Sequence, residues 1–284
     1  MEEYDFLIIG AGSAGLPAAI YAARFRLKTL VIGEIPGGTI TTTHIVENWP
    51  GVITATGWDL MDTLMKHVKA NEVKVLTDKV VEVQKKGDFD FLVKTAEGKE
   101  FKAKTVLFAM GTSRKKLGVL GEKEFENKGV SYCAVCDGAL FKNKAVAVVG
   151  GSDSAAKEAL FLSEHASKLY LIHRGDKIRP EPVNFARIEQ KVKEGKIEII
   201  YNTNILEFKG EKFLISVLLD KQYRGKKEFP IDAVFLSIGA TPISEMAVAL
   251  KVKLNEKKEI IINRASETNV PGIFAAGDVV DTRF

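Results

Sequence analysis

Cysteine is nearly missing from this chain. There are two among 284 residues, Cys133 and Cys136, separated by only two residues in "GVSYCAVCDGALF" (129–141). Two cysteines cannot complete a structural zinc site, which needs four N or S ligands. The four histidines, His44, His67, His165 and His173, offer no H-x3-5-H spacing to supply the rest. A structural staple gains little, because closing so short a loop removes little chain entropy. The favoured reading is a redox pair, since C-x-x-C thiols interconvert with a disulfide and one of them is often acidified. Zinc and staple stay open as the weaker readings.

Long apolar runs are also scarce. One uncharged stretch stands out, residues 6–23, "FLIIGAGSAGLPAAIYAA". It follows the acidic "MEEYD", where a secretory signal would be basic. Three glycines, a serine and a proline interrupt it. A glycine-rich turn between a buried strand and a buried helix explains it better than a membrane span, and no other stretch is long enough to cross a bilayer. A cytoplasmic protein is expected, without membrane association, and cytosolic C-x-x-C pairs are more often catalytic than structural. Blocks of one charge are absent too. The formal net charge is +4 and the lysines are spread, which argues against nucleic acid as a partner.

What the chain does contain is ordinary globular material. Hydrophobic residues make up 46% and charged residues 27%, enough to build real cores. The length suits two domains of roughly 100–200 residues each.

"YDFLIIGAGSAGLPAAIYAARF" reads as strand, turn and helix. Gly10, Gly12 and Gly15 fall at G-x-G-x-x-G: the first for the tight turn, the second for approach to a pyrophosphate, the third for close helix packing. The helix start offers free N–H groups and a positive dipole end. A second strand, "KTLVIG", ends near Glu34, where an acid would accept from a ribose hydroxyl. The pattern recurs in "KAVAVVGGSDSAAKEALFLSEHA", with Gly150, Ser152 and Ala155 at the fingerprint positions. After the next strand, "KLYLIHRGDKIR", no carboxylate stands at the ribose position. His173, Arg174 and Arg179 stand near it, which suits a 2′-phosphate and so NADP over NAD. A third region, "KEIIINRASETNVPGIFAAGDVVD", reads as a strand, a turn and a second strand ending at Gly277-Asp278. Two dinucleotide folds suggest two dinucleotides, one a flavin and one a nicotinamide.

These residues together resemble the low-molecular-weight thioredoxin reductases of the class II pyridine nucleotide-disulfide oxidoreductase family. "GAGSAGLPAAIYAAR", "PGGTITTTHIVENWPG", "CAVCDG", "VVGGSDSAAKEA" and "FAAGDV" lie in the family's order and spacing. The resemblance implies an α/β fold of two Rossmann-like, three-layer nucleotide-binding domains. An NAD(P) domain, 115–239, is inserted into a discontinuous FAD domain, 1–111 and 243–284. The double crossover would act as a hinge that presents NADPH and the disulfide to the flavin in turn.

Position by position, the resemblance implies that Gly10, Gly12, Ser13, Ala14 and Gly15 hold the FAD pyrophosphate. Glu34, Gly38, Thr39 and Asn48 line the flavin site, Val80 meets the adenine through its backbone, and Gly277 and Asp278 close on the ribityl chain. Gly151, Ser152, Asp153, Ser154, His173, Arg174 and Arg179 hold NADPH. Cys133 and Cys136 form the redox pair, with Asp137 as proton donor. No metal is expected. The implied activity is reduction of a thioredoxin disulfide by NADPH through FAD, in a homodimer.

The chain departs from the family in places. Thr39 replaces a usual glutamine, "AMGT" (109–112) replaces the usual A-T-G, and Gly175 replaces a second arginine, which leaves NADH in play. The sequence stops at Phe284, before the family's Arg-Gln pair and final helix, so weaker hold on the flavin and weaker dimerisation are expected. Two other readings stay open: a truncated, flavin-poor binding protein, and a reductase whose acceptor is a glutaredoxin-like protein or a peroxidase component.

Overall fold

The computed structural model describes residues 1–282, so the expectation attached to Phe284 lies outside the described residues. The chain divides into two compact units. One comprises Met1–Ser113 with the segment from Thr241 onward, the other Arg114–Ala240.

The first unit opens with strand β1 (Glu2–Ile9), helix α1 (Gly15–Arg24), β2 (Thr29–Gly33), α2 (Gly57–Ala70) and β3 (Lys74–Thr77). An antiparallel meander follows, β4 (Val80–Gly87), β5 (Asp90–Thr95) and β6 (Glu100–Phe108), before the short β7 (Thr112–Arg114). The sheet order is β3-β2-β1-β6-β5-β4. β1 is parallel to both β2 and β6, and its residues alternate between two cores. Ile8 packs with Leu16, Ala19 and Val31 under the helices, whereas Leu7 and Ile9 pack on the other face with Val83, Phe91 and Val93 of the meander. A strand covered on both faces must be apolar throughout, which is why "FLII" shows no polar alternation. Full burial of each such side chain contributes about 1.5–3 kcal/mol.

The second unit repeats the plan. It contains β8 (Val130–Ser131), the single-turn helix α3 (Ala134–Asp137), β9 (Ala145–Val149), α4 (Asp153–Ser163), β10 (Lys168–Ile172), α5 (Pro182–Lys193) and β11 (Ile197–Ile200). Then come the meander β12 (Ile205–Gly210), β13 (Leu214–Tyr223) and β14 (Lys226–Pro230), and β15 (Ala233–Leu236). The parallel sheet runs β11-β10-β9-β15-β8. Val146 and Val148 face α4 and α5, while Ala147 and Val149 face the meander. Each unit is therefore helices, parallel sheet and antiparallel meander in three layers.

The chain returns to the first unit through β16 (Ala240–Pro242), which pairs with β7, then α6 (Glu245–Ala249) and β17 (Ile273–Ala275). β17 lies parallel to the C-terminal half of β6, level with residues 106–108, while β5 takes the N-terminal half of the same edge. The strand read over "EIIIN" is not formed. Ile260 makes only isolated bridges, to Leu254 and Val280, because among the described residues no neighbouring strand runs alongside it. From the cysteine pair the chain makes one α turn, then a 3-10 turn over Gly138–Phe141. Among the described residues, no helix is long and apolar enough to cross a membrane.

Candidate functional site: two glycine-turn edges and a disulfide

Register brings the first set of candidates to one edge. Ile9 is level with both Ile32 and Phe108, and Phe108 with Ala275. The turns that leave β1, β2 and β17 therefore emerge side by side, at the carboxyl ends of parallel strands where α/β folds bind ligands. Gly10, Gly12, Ser13, Ala14 and Gly15 form the first turn, Glu34 begins the second, and Gly277-Asp278 lies in the third. Gly277 backs directly onto Ala14: a Cβ at Gly277 would lie 2.9 Å from the Ala14 Cβ.

The glycines here differ in kind. Gly10 has φ +117°, and a Cβ there would come within 2.1 Å of the Ala109 carbonyl oxygen. A Cβ on Gly15 would meet the Gly10 carbonyl oxygen at 1.9 Å. Both are demanded by the protein's own packing. At Gly12 the nearest atom to an added Cβ is the Gly38 Cα, 3.6 Å away. No protein atom crowds that position, so the open face beside it suits a ligand that approaches the backbone closely. No side chain caps α1 and its first turn holds no acid, which leaves its leading amides for an anion. A dinucleotide pyrophosphate fits this set.

The other first-unit candidates surround that edge. Glu34 is exposed, with Lys79 Nζ 3.4 Å from its Oε2. Val80 is buried at the start of β4, next to Lys79. Gly38, at φ +68°, precedes a 3-10 turn that begins at the exposed Thr39. Asn48 is exposed in the loop beyond it.

In the second unit Val149 is level with Ile172 and Leu236, and Ile172 with Ile200. Gly150 leaves β9 at φ +157°, with its N–H donating to the Ile172 carbonyl at 3.0 Å. Gly151, Ser152, Asp153 and Ser154 follow into α4. The Arg179 N–H donates to the Gly151 carbonyl at 2.7 Å, which brings that arginine's chain alongside the turn. Arg174 and Arg179 are both exposed. No carboxylate is bridged to either among the described residues, so a phosphate can take them. The His173 ring lies against Gly151, where a Cβ would be 2.3 Å from Cε1, and against Gly175, where it would be 2.8 Å from Nε2.

Asp153 is a different matter. Its Oδ1 accepts from the Glu181 N–H and the Asn184 side-chain amide, both at 2.8 Å, and its Oδ2 pairs with Lys157 at 2.9 Å. Burial pushes this carboxyl up, but bonds from Asn184, Lys157 and the Glu181 N–H outweigh it and hold it below the usual carboxylate range. The side chain clasps the start of α5 and is not free to hold a ligand; only its main chain is.

Cys133 and Cys136 are joined in a disulfide. Cys133 is half-buried and Cys136 exposed. The Cys136 N–H donates to Cys133 Sγ at 3.2 Å, and the Asp137 N–H to the Cys133 carbonyl at 3.2 Å. Tyr132 anchors the residue before the pair: its hydroxyl donates to Glu122 Oε1 at 2.7 Å. Glu122 is buried and also accepts from the Leu117 and Gly118 N–H groups. Burial and then the Glu122 bond push the Tyr132 phenol up, so it stays protonated as a donor. Among the described residues no cluster of side chains could hold a metal ion.

The sequence profile of the family described as "Pyridine nucleotide-disulphide oxidoreductase" matches residues 4–284. The chain belongs to that family. Within it, the chain is 39% identical to a thioredoxin reductase of Listeria innocua and 40% identical to one of Bacillus subtilis, each over 97% of this chain and 86% of the relative. The solved thioredoxin reductase of Lactococcus lactis superposes with a TM-score of 0.92 at 36% identity, covering 99% of this chain and 92% of the other. That of T. acidophilum gives 0.91 at 33% identity, with 100% and 92% covered. This pyridine nucleotide-disulphide oxidoreductase is thus a member of the thioredoxin reductase group, and membership implies a flavin and a pyridine nucleotide.

Two site features of this oxidoreductase went unread in the sequence. Arg114 pairs with Glu158 on α4, Nη1 to Oε1 at 2.8 Å, but an arginine and a glutamate 44 residues apart carry no local signal. Ser131, two residues before Cys133, carries no recognisable motif of its own.

Proposed function

We propose that the chain is an NADPH-dependent thioredoxin reductase, with thioredoxin as its disulfide substrate. The first unit is the FAD domain and the second the NADP domain. The reading is carried by the Cys133–Cys136 disulfide, partly exposed beside a carboxylate, in a chain with two glycine-turn edges. Glutaredoxin-like and peroxidase-type acceptors are kept as outcomes of the test. A cytoplasmic homodimer completes the proposal.

Gly10, Gly12, Ser13, Ala14, Gly15 and the free amides of α1 receive the FAD pyrophosphate, and Glu34 the ribose. Gly38, Thr39, Asn48, the Val80 backbone, Gly277 and Asp278 border the remainder. The Gly151–Ser154 main chain receives the NADPH pyrophosphate, and Arg174 and Arg179 its 2′-phosphate, with His173 holding the turn. When bound, the two cofactors supply the electron pair. Opening of the disulfide takes up that pair and two protons and leaves two thiols. Donation from the Cys136 N–H to Cys133 Sγ favours a thiolate there, which supports Cys133 as the attacking sulfur and Cys136 as the flavin-proximal one. Asp137 exchanges the proton as general acid/base. Attack on a substrate disulfide forms a mixed disulfide, and the second cysteine resolves it.

The test is anaerobic titration of the purified protein with NADPH, followed by addition of oxidised thioredoxin. Bleaching of the flavin absorbance and stoichiometric thioredoxin thiols are expected. Bleaching without thioredoxin thiols, but with turnover of a glutaredoxin-like protein, would move the acceptor; a protein without flavin would remove the enzyme reading.

A further inference from the structure

Ser131 is 3% exposed, at the end of β8, where β15 pairs with it in register Phe235↔Ser131. Its hydroxyl donates to Asp137 Oδ2 at 2.6 Å and accepts from the Cys133 N–H at 3.0 Å. One oxygen thus ties the carboxylate beside the disulfide to the main chain of the first cysteine. The Asp137 N–H to Cys133 carbonyl bond and the Cys136 N–H to Cys133 Sγ bond close the same short circuit. A buried hydroxyl has little water to turn to, so it holds its partner firmly.

We propose that Ser131 is a positioning residue for the thiol–disulfide step: it fixes the orientation of the Asp137 carboxylate, one residue beyond Cys136. The inference rests on the reading of Asp137 as the proton carrier. In the step, the Cys133 thiol gives its proton to Asp137. Its sulfur bonds to one sulfur of the substrate disulfide and that S–S bond breaks. The leaving substrate sulfur takes a proton from Asp137 or solvent. Cys136 then reforms the bond to Cys133 and expels the second substrate thiol. Two electrons pass from the dithiol to the substrate, and protons balance. Without the Ser131 hydroxyl, Asp137 can rotate away and the first proton transfer slows.

The experiment is a double-mutant cycle on the holoenzyme with Ser131→Ala, Asp137→Asn and both. Single-turnover flavin reduction by NADPH and steady-state thioredoxin reduction are each measured. General acid–base groups typically contribute 10²–10⁴-fold, so loss of the positioning hydroxyl should lower kcat by roughly 10-fold or more. The KM for thioredoxin and flavin reduction should hold. In the Asp137→Asn background, Ser131→Ala should have almost no further effect, because the group it positions is gone. Ser131→Thr, which keeps the hydroxyl, should recover most of the rate. If the two losses multiply, or if flavin reduction falls equally, Ser131 is a packing residue and the proposal fails. If Asp137→Asn turns over at the full rate, the reading of Asp137 itself fails.

Discussion

The His173 imidazole rests on Gly151: a Cβ added at Gly151 would sit 2.3 Å from its Cε1. The contact fixes the ring at the mouth of the second glycine turn. Gly151→Ala should push the ring away and raise the NADPH concentration for half-maximal flavin reduction several-fold. Flavin content should not change. Stopped-flow flavin reduction across a range of NADPH concentrations reads this directly, and an unchanged dependence would show that the ring does not matter to the nucleotide.

The same ring also lies against Gly175, where the family's second arginine is missing. A Cβ at position 175 would lie 2.8 Å from His173 Nε2. Two exposed arginines remain, Arg174 and Arg179. Charge-assisted bonds to phosphate exceed neutral ones. Arg174→Ala should lower kcat/KM for NADPH by about 10-fold, or about 1.4 kcal/mol, and leave that for NADH nearly unchanged. Equal losses with both nucleotides would make the arginine structural.

Gly12 and Gly15 belong to one motif but should respond differently. Gly15→Ala places a methyl 1.9 Å from the Gly10 carbonyl oxygen, and overpacking of that kind costs about 1–3 kcal/mol or more. Gly12→Ala meets no protein atom closer than 3.6 Å. It should melt as the unaltered protein does without flavin, yet retain much less flavin after dialysis. Equal flavin retention would mean that the pyrophosphate does not approach there.

Cys136→Ser should keep flavin binding and its reduction by NADPH while thioredoxin reduction drops to the uncatalysed background. These are the only two thiols in the chain. Full turnover by this variant would refute the disulfide as the electron carrier.

Asp153 should show its role through pH. Its folded-state pKa is depressed, so the stabilisation is complete above the ordinary carboxylate value of 3.8 and is lost as pH falls through the depressed value. Asp153→Ala should destabilise by about 1–3 kcal/mol at pH 7. The gap from the unaltered protein should narrow as pH falls below the ordinary carboxylate value. A gap that stayed constant with pH would mean that the carboxylate charge contributes nothing.

Much of the site was legible because its chemistry is local. A glycine turn after a buried strand needs Gly10 and Gly15 in sequence order, and a reversible disulfide needs Cys133 and Cys136 close together. The two glycine-turn units follow from recurrence of one pattern, while the insertion of 115–239 between 1–111 and 243–284 comes from the family resemblance. What escaped is what depends on neighbours distant in the chain. Asp153 lies between two fingerprint positions, Ser152 and Ala155, but only the fold brings Glu181 and Asn184 to its carboxylate. The meander strands β4–β5 and β12–β14 are half-exposed and mixed in polarity, so their apolar residues acquire meaning only over the second face of a sheet. "EIIIN" has the composition of a strand, yet strands exist by pairing, and among the described residues no partner strand runs beside it. The sequence by itself determined which groups can do chemistry and in which local turns they sit. Tertiary structure decided which are free to do it, because hydrogen-bond partners and register are set by segments that meet only after folding.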